Sequence, residues 1–352
     1  LIFDEPTAVL TPQEIDELMQ IMKGLANEGH TILFISHKLD EIKLVADRVS
    51  VLRRGKLIAT LDAANTTKEQ MGELMVGKEV SFHVVKEEAV PKEDVLKVEN
   101  LTIINNETKK KVVNDVSFTV RKGEIVVIAG IDGNGQSELI YGITGLMPIN
   151  EGRILINGED LSRKSIRERN MVLSHIPEDR HKYGLVLDYL LSYNLALKNY
   201  FKKGFVSKTG FLNFNKFNEY ADELIKRFDI RSGQGRDTMA RSMSGGNQQK
   251  AIIAREIDQD SDLLIAVQPT RGLDVGAIEY IHRQIVAQRD KDKAVLMMSF
   301  ELDEVMDVAD RIIVMFEGEI MGTLNPKEVT LEEVGLYMAG VKREDKVNEH
   351  KE

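Results

Sequence analysis

In EIVVIAGIDGNGQS, residues 124–137, an unbroken apolar run gives way to Gly130, Gly133 and Gly135, and then to Ser137. A short run rich in β-branched residues with no polar alternation predicts a strand buried on both faces, over Glu124–Ala129. The glycines turn the chain, and a helix is expected from about Ser137. A strand, a glycine loop and a helix start in that order bring backbone N–H groups and the positive end of a helix to one place, which suits an anion such as a phosphate. The spacing from Gly130 to Ser137 is G-x-x-x-x-G-x-S, enclosing Asp132, Gly133, Asn134 and Gly135. Gln136 stands where such loops carry a phosphate-binding Lys. At this point a plain glycine turn remains the alternative.

Around this unit the chain alternates predicted strands and helices. Strands are expected at Val95–Leu101, Val112–Val120, Arg153–Ile156, Leu263–Val267 and Val295–Ser299, with a terminal strand at Ile312–Phe316. Helices are expected in 186–230, after Ser244 (which can cap a helix starting near Asn247), and over 275–289. The alternation predicts an α/β fold on a mostly parallel sheet. No apolar run approaches the roughly 20 residues a membrane-spanning helix needs. The absence of cysteine excludes disulfide frameworks, thiolate zinc sites and cysteine nucleophiles. With 47 basic and 57 acidic residues the net charge is −10, which argues against nucleic acid as a partner.

The chain also matches itself. Residues 1–78 align with 264–341 at a constant shift of 263 and without a gap: Pro6-Thr7 with Pro269-Thr270, Ser36 with Ser299, Leu39-Asp40-Glu41 with Leu302-Asp303-Glu304, Gly55 with Gly318, and Gly77 with Gly340. A shift of that length indicates two whole domains of one kind rather than a solenoid. Leu1-Ile2-Phe3 reads as the middle of a buried strand, so the chain is expected to be a fragment that keeps the C-terminal third of the first copy. The predicted division is 1–80 for that part, 81–94 for a charged linker, 95–341 for the second copy and 342–352 for a frayed charged tail.

The most specific stretch is SMSGGNQQK, residues 242–250. Preceded by the loop at 130–137 and by Ile176-Pro177-Glu178-Asp179-Arg180, and followed by the strand 263–268 and Gly272-Leu273-Asp274, it resembles the signature motif of ATP-binding-cassette ATPases. The resemblance covers essentially all of residues 1–341. It implies tandem cassettes of the P-loop NTPase type, each a parallel sheet with a helical subdomain, and ATP and Mg²⁺ as ligands. It also implies that a site is shared between cassettes, with the phosphate loop from one and the signature from the other. Ser244, Gly245, Gly246, Asn247 and Gln248 are then nucleotide-facing. So are Gly130 to Ser137, and so is Glu178, which occupies the place of a γ-phosphate-sensing Gln.

The two copies differ where chemistry is done. By the resemblance, Asp4 supports Mg²⁺, Glu5 polarises the attacking water and His37 contacts the γ-phosphate. Their counterparts are Val267, Gln268 and Phe300. Loss of a general base costs ~10²–10⁴-fold and loss of an electrostatic stabiliser ~10²–10³-fold. A site lacking the Lys, the metal-supporting Asp, the Glu and the His together is therefore expected to be inert. The intact second signature is expected to complete the live site of the first copy, and the isolated fragment to be inactive.

A fused pair with a degenerate second cassette resembles the ATPase of bacterial sugar and nucleoside importers. HIPEDRH (175–181), VQPTRGLDVG (267–276) and SFEL (299–302) bring it nearer the nucleoside type, which works with a basic-membrane-protein-like lipoprotein. The ribose/galactose type is the alternative, and fused cassettes of translation or DNA repair a more remote one. The implied partners are two hydrophobic permease subunits and, indirectly, an extracytoplasmic solute-binding lipoprotein, at the cytoplasmic face of the plasma membrane. Coupling would use 185–211, whose Tyr189, Tyr193, Tyr200 and Phe201 are otherwise expected in an internal core.

Overall fold

The structure, a computed structural model, describes residues 1–7, 12–36, 38–53, 55–77 and 84–344, the side chains of Pro12 and Gln13 excepted. It forms two compact units, one of Leu1–Val84 with Leu273–Tyr280, the other of Val85–Gly272 and Ile281 onward.

The first unit contains β1 (Ile2–Asp4), α1 (Pro12–Asn27), β2 (Leu33–Ile35), α2 (Leu39–Val45), β3 (Arg48–Arg53), β4 (Lys56–Asp62) and α3 (Lys68–Val76). β1 and β2 pair in parallel, and β3 and β4 form an antiparallel hairpin. The strand expected at Leu1–Phe3 is present but is not buried: Leu1 and Ile2 are exposed, as are Leu33 and Ile35 beside them. A two-stranded sheet has a face that the helices of this unit do not cover, so apolar sequence alone does not bury it. Met71, Leu39 and Ile42 make a small core, with Phe34, Ala46, Val49 and Met75 packed around it.

The second unit begins with β5 (Asp94–Ile104), β6 (Lys111–Arg121), β7 (Glu124–Ala129), α4 (Gln136–Thr144), β8 (Glu151–Ile156), β9 (Glu159–Asp160), α5 (Ile166–Arg169) and β10 (Leu173–Ile176). It continues with α6 (Leu191–Ala196), α7 (Phe214–Arg227), α8 (Gly245–Ile257), β11 (Leu263–Val267), α9 (Val275–Arg289, of which the residues up to Tyr280 group with the first unit) and β12 (Ala294–Ser299). It ends with α10 (Leu302–Val308), β13 (Arg311–Phe316), β14 (Glu319–Leu324) and α11 (Leu331–Met338). The main sheet runs β10-β11-β12-β7-β13-β14, parallel except for β14. Every residue of β7, β11 and β12 is buried, as expected of strands covered on both faces. A four-stranded antiparallel sheet, β6-β5-β8-β9, shares the same hydrophobic core.

Several expectations need correction here. The strand at 311–316 is not terminal, since β14 and α11 come after it. Part of the presumed linker belongs to the second unit: Lys86 Nζ donates to Val308 O, Ala309 O and Asp310 Oδ1 at 2.7–2.9 Å. The start of the tail is also tied down, because Glu344 N donates to Met321 O and Glu344 Oε2 accepts from Thr323 N. Residues 78–83 of the linker region and 345–352 of the tail lie outside the described residues. β10 was not anticipated; its four residues LSHI are too short to carry a period.

The segment between β10 and α8 is joined to the core through a buried carboxylate. Glu256 accepts from Lys198 Nζ, Arg255 Nε and the His175 backbone N–H. Burial pushes the His175 imidazole down to about 4, partly offset by the Glu256 charge. A lowered imidazole pKa means that the fold gains nothing from His175 charging. Stability is full above the unfolded value near 6.5 and is lost as pH falls toward 4. Denaturant titrations at pH 7.5 and pH 5 are expected to show a loss that His175→Leu reduces by about 1–2 kcal/mol. Equal losses in both proteins would remove His175 from this account.

Candidate functional site

β10, β11, β12 and β7 lie side by side and parallel, so their continuations leave the sheet at one carboxyl edge: Pro177-Glu178, Gln268, Phe300 and Gly130. Clefts outside that edge are where open α/β sheets bind ligands.

The loop after β7 is held by backbone. Gly318 N donates to Asn134 O and Glu317 N to Asn134 Oδ1, at 2.9 and 2.8 Å. Gly135 has φ +96°, and a Cβ there would lie 2.1 Å from Val112 O. The loop therefore rests on β6 and on the β13–β14 turn, which leaves Ile131, Asp132 and Gly133 exposed at its tip. Gln136 does not occupy that mouth as a Lys substitute. It is buried, and its Nε2 donates back to Ile131 O at 3.1 Å.

Ser137 Oγ lies 3.4 Å from Glu178 Oε2, and Arg271 Nη1 donates to Glu178 Oε1 at 2.8 Å. Arg271 was read from sequence only as part of the stretch 267–276, with no role at the loop given to it. Glu178 thus touches the phosphate loop, but as an anion already paired with a cation. Next to it, Asp179 accepts from the N–H groups of His181 and Lys182 and starts a π-helical turn, Arg180–Gly184.

Gln268 comes directly after β11 with φ +45°, and its N–H donates to Met298 O at 2.9 Å. Its side chain is buried, and Nε2 has no hydrogen-bond partner. Val267 lies within the hydrophobic core, and Phe300 packs against it. Below them Glu304 accepts from Ser299 Oγ, Thr270 Oγ1 and His282 Nε2, each at 2.6 Å. Burial alone would raise the Glu304 carboxyl, but these donors outweigh it and hold it below the ordinary range.

In the first unit the same backbone pattern carries other side chains. Glu5 has φ +43° and its N–H donates to Ile35 O at 2.9 Å. Ser36 Oγ donates to Glu41 Oε2 and accepts from Lys38 N. Asp4 closes β1, and both carboxylates are exposed. His37 lies outside the described residues.

At the signature stretch, α8 begins at Gly245 rather than near Asn247, with Ser244 in the N-cap position. The Ser244 hydroxyl does not cap the helix; it accepts from Asn247 Nδ2 at 2.9 Å. Ser244 is exposed and Gly245, Gly246 and Asn247 are partly so. Gln248 is not: it is buried, donating to Ala240 O and paired with His181 Nε2, so it braces the motif from within. The aromatic segment divides. Tyr193 packs with Phe205 and Phe217 inside, whereas Tyr189 and Tyr200 are about half exposed.

Mg²⁺ does not fit the second loop. The Val267 side chain offers no oxygen and Gln268 no charge, so beside Ser137 Oγ there is only the carboxylate of Glu178, which is paired with Arg271. Among the described residues no group of three or more His, Asp or Glu side chains is placed to hold a metal.

Comparison with known proteins agrees with this geometry. The ABC transporter family matches residues 113–271. The nucleoside import ATP-binding protein NupA of Lactococcus lactis is 53% identical over 341 residues, covering 97% of this chain and 67% of that protein. The guanosine import ATP-binding protein NupO of Bacillus subtilis is 51% identical, covering 97% and 66%. The ribose import ATP-binding protein RbsA of Caldanaerobacter subterraneus is 36% identical, covering 97% and 67%. A solved ATP-binding cassette, dimeric and bound to ADP and Pi, matches 66% of this chain and all of its own with a TM-score of 0.58 at 21% identity, a likeness of fold. The fold and the glycine-loop and signature motifs define an ATP-binding cassette. The chain belongs to the ATP-binding protein family of ABC transporters, and it spans about two thirds of the length of these curated relatives.

Gly135 and Gly133 separate steric from conformational cost. Gly135→Ala meets a carbonyl and is expected to destabilise by ~2–4 kcal/mol in urea titrations. Gly133→Ala, at φ +88° in open space, is expected to cost only about 1 kcal/mol.

Proposed function

We propose that this chain is part of the ATP-hydrolysing motor subunit of an importer for nucleosides, built from two cassettes of which the second is catalytically degenerate. The observation that carries the substrate class is identity: 53% and 51% with relatives named for nucleoside and guanosine import, against 36% with one named for ribose import. The ribose/galactose reading is correspondingly less favoured. A nucleic-acid role draws no support from the charge balance.

On this reading residues 1–80 are the end of the first cassette and 95–341 the second. Asp4 would hold Mg²⁺, which neutralises phosphate charge, and Glu5 would orient and polarise the attacking water from a backbone turned at φ +43°. His37 would contact the γ-phosphate. Ser244, Gly245 and Gly246 would complete that site from the second cassette; Asn247 would fix the Ser244 hydroxyl. The loop 130–137 would keep weak nucleotide binding without turnover. The shared fixed backbone of Glu5 and Gln268 supports a common ancestry of the two sites, and their side chains support unequal roles.

The subunit would lie at the cytoplasmic face of a bacterial plasma membrane against two hydrophobic permease subunits, served by an extracytoplasmic solute-binding lipoprotein. No described helix is long and apolar enough to cross a membrane. The exposed Tyr189, Tyr200 and Phe211 of the segment 185–211 would be available to a permease.

Two experiments test this. Disrupting the gene in its host should abolish uptake of labelled nucleosides and spare ribose uptake; the reverse pattern would transfer the assignment to the sugar. The 352-residue chain alone carries one glycine loop, the degenerate one, so phosphate release from it should not exceed that of Glu5→Gln. Turnover clearly above that control would refute the division of labour.

A further inference from the structure

The second loop has Gln136 in place of a Lys, and Val267 and Gln268 in place of acidic residues that would support a metal, but its surroundings are not bare of donors. A single carboxylate, that of Glu178, separates the Ser137 hydroxyl from the Arg271 guanidinium. A second guanidinium is close by: Arg180 lies beside Gly272, near enough to Arg271 for their like charges to disfavour each other. Asp179, the other acid in the segment, is occupied by backbone N–H groups. Asp179 faces Arg180 with its charge, which leaves Glu178 as the carboxylate paired with Arg271. At the same carboxyl edge Gln268 keeps a buried amide donor with no partner, in a side chain that is 5% exposed. A buried donor left unsatisfied is costly and calls for an acceptor.

We propose that the second phosphate loop binds the terminal phosphates of a nucleotide without Mg²⁺, with Arg271 supplying the positive charge and Glu178 acting as the anion that holds Arg271 until phosphate displaces it. This rests on the reading that the loop retains nucleotide binding, and it assigns the residues and regulation of that site. The exchange is favourable on physical grounds. The Glu178–Arg271 pair is partly open to water, with side chains 21% and 48% exposed, and such pairs are weak. A guanidinium on a phosphate forms two charge-assisted hydrogen bonds in a fork that fits the anion. Glu178 also repels an arriving phosphate while it stays at Ser137, so it sets a threshold on occupancy. Ser137 Oγ, 3.4 Å from the Glu178 carboxylate, adds a neutral donor once that carboxylate moves away.

Titration of the full 352-residue chain with ATP, in excess Mg²⁺ and in EDTA, tests this directly by calorimetry. The dissociation constant is expected to change by no more than about threefold between the two conditions. Arg271→Ala should weaken binding about tenfold or more, Arg271→Lys should weaken it less, and Glu178→Gln should tighten it several-fold. AMP and inorganic phosphate should both bind far more weakly than ATP. Circular dichroism melts of each variant exclude misfolding as the cause, since neither side chain is buried. Binding that needs Mg²⁺, or that is indifferent to Arg271→Ala, overturns the inference while leaving nucleotide binding intact. AMP binding as well as ATP overturns the role given to the terminal phosphates. No ATP binding in either condition, with Glu178→Gln failing to restore it, overturns both the inference and the reading beneath it.

Discussion

The buried carboxylate of Glu304 is the constraint around which the second unit's site edge is arranged. An ionised carboxyl away from water is tolerated only when its lone pairs are taken up by donors, and here three groups do so from three elements. Ser299 ends β12, Thr270 lies beyond β11, and His282 is in α9. The same Ser299 hydroxyl accepts from Glu301 N and so sets the start of α10. The backbone at positions 268 and 300 is therefore fixed by a network that uses neither side chain. Gln and Phe can stand there without altering the frame. In the first unit Ser36 and Glu41 keep part of this arrangement, with Glu41 buried. The residue 263 places before His282 is Met19, so the imidazole is an addition peculiar to the second copy.

Legibility in the sequence depended on which physics is local. The span Glu124–Ala129 was legible because a fully apolar run leading into glycines has few other outcomes, and the loop's need for glycine at 135 is met by the carbonyl of Val112. The asymmetry between Asp4-Glu5 and Val267-Gln268 was legible because it is a matter of residue identity. The direction of a side chain was not. Gln248 belongs to the signature stretch, which the resemblance makes nucleotide-facing, but its position on α8 turns it inward to Ala240 O and His181. Glu178 lies beside the loop, and its partner Arg271 is 93 residues away; no period or motif announces that pairing. Leu1 and Ile2 are exposed although they read as a buried strand: hydrophobicity states a preference, and only a covering layer satisfies it.

Gln268 keeps a backbone conformation that costs a side-chain-bearing residue on the order of 1 kcal/mol or more. In the first unit the same turn carries Glu5, where it aims a carboxylate. In the second there is no carboxylate to aim, so the strain needs another justification. The chain beyond the turn supplies one. Pro269 O accepts from Gln249 Nε2, Thr270 reaches Glu304, and Arg271 reaches Glu178. A relaxed backbone at 268 would redirect all three at once, loosening α8, the β12 end and the phosphate loop together. The turn is thus maintained by the contacts of residues 269–271. The backbone at 268 serves as the frame for donors and cations at neighbouring positions, whichever side chain stands on it.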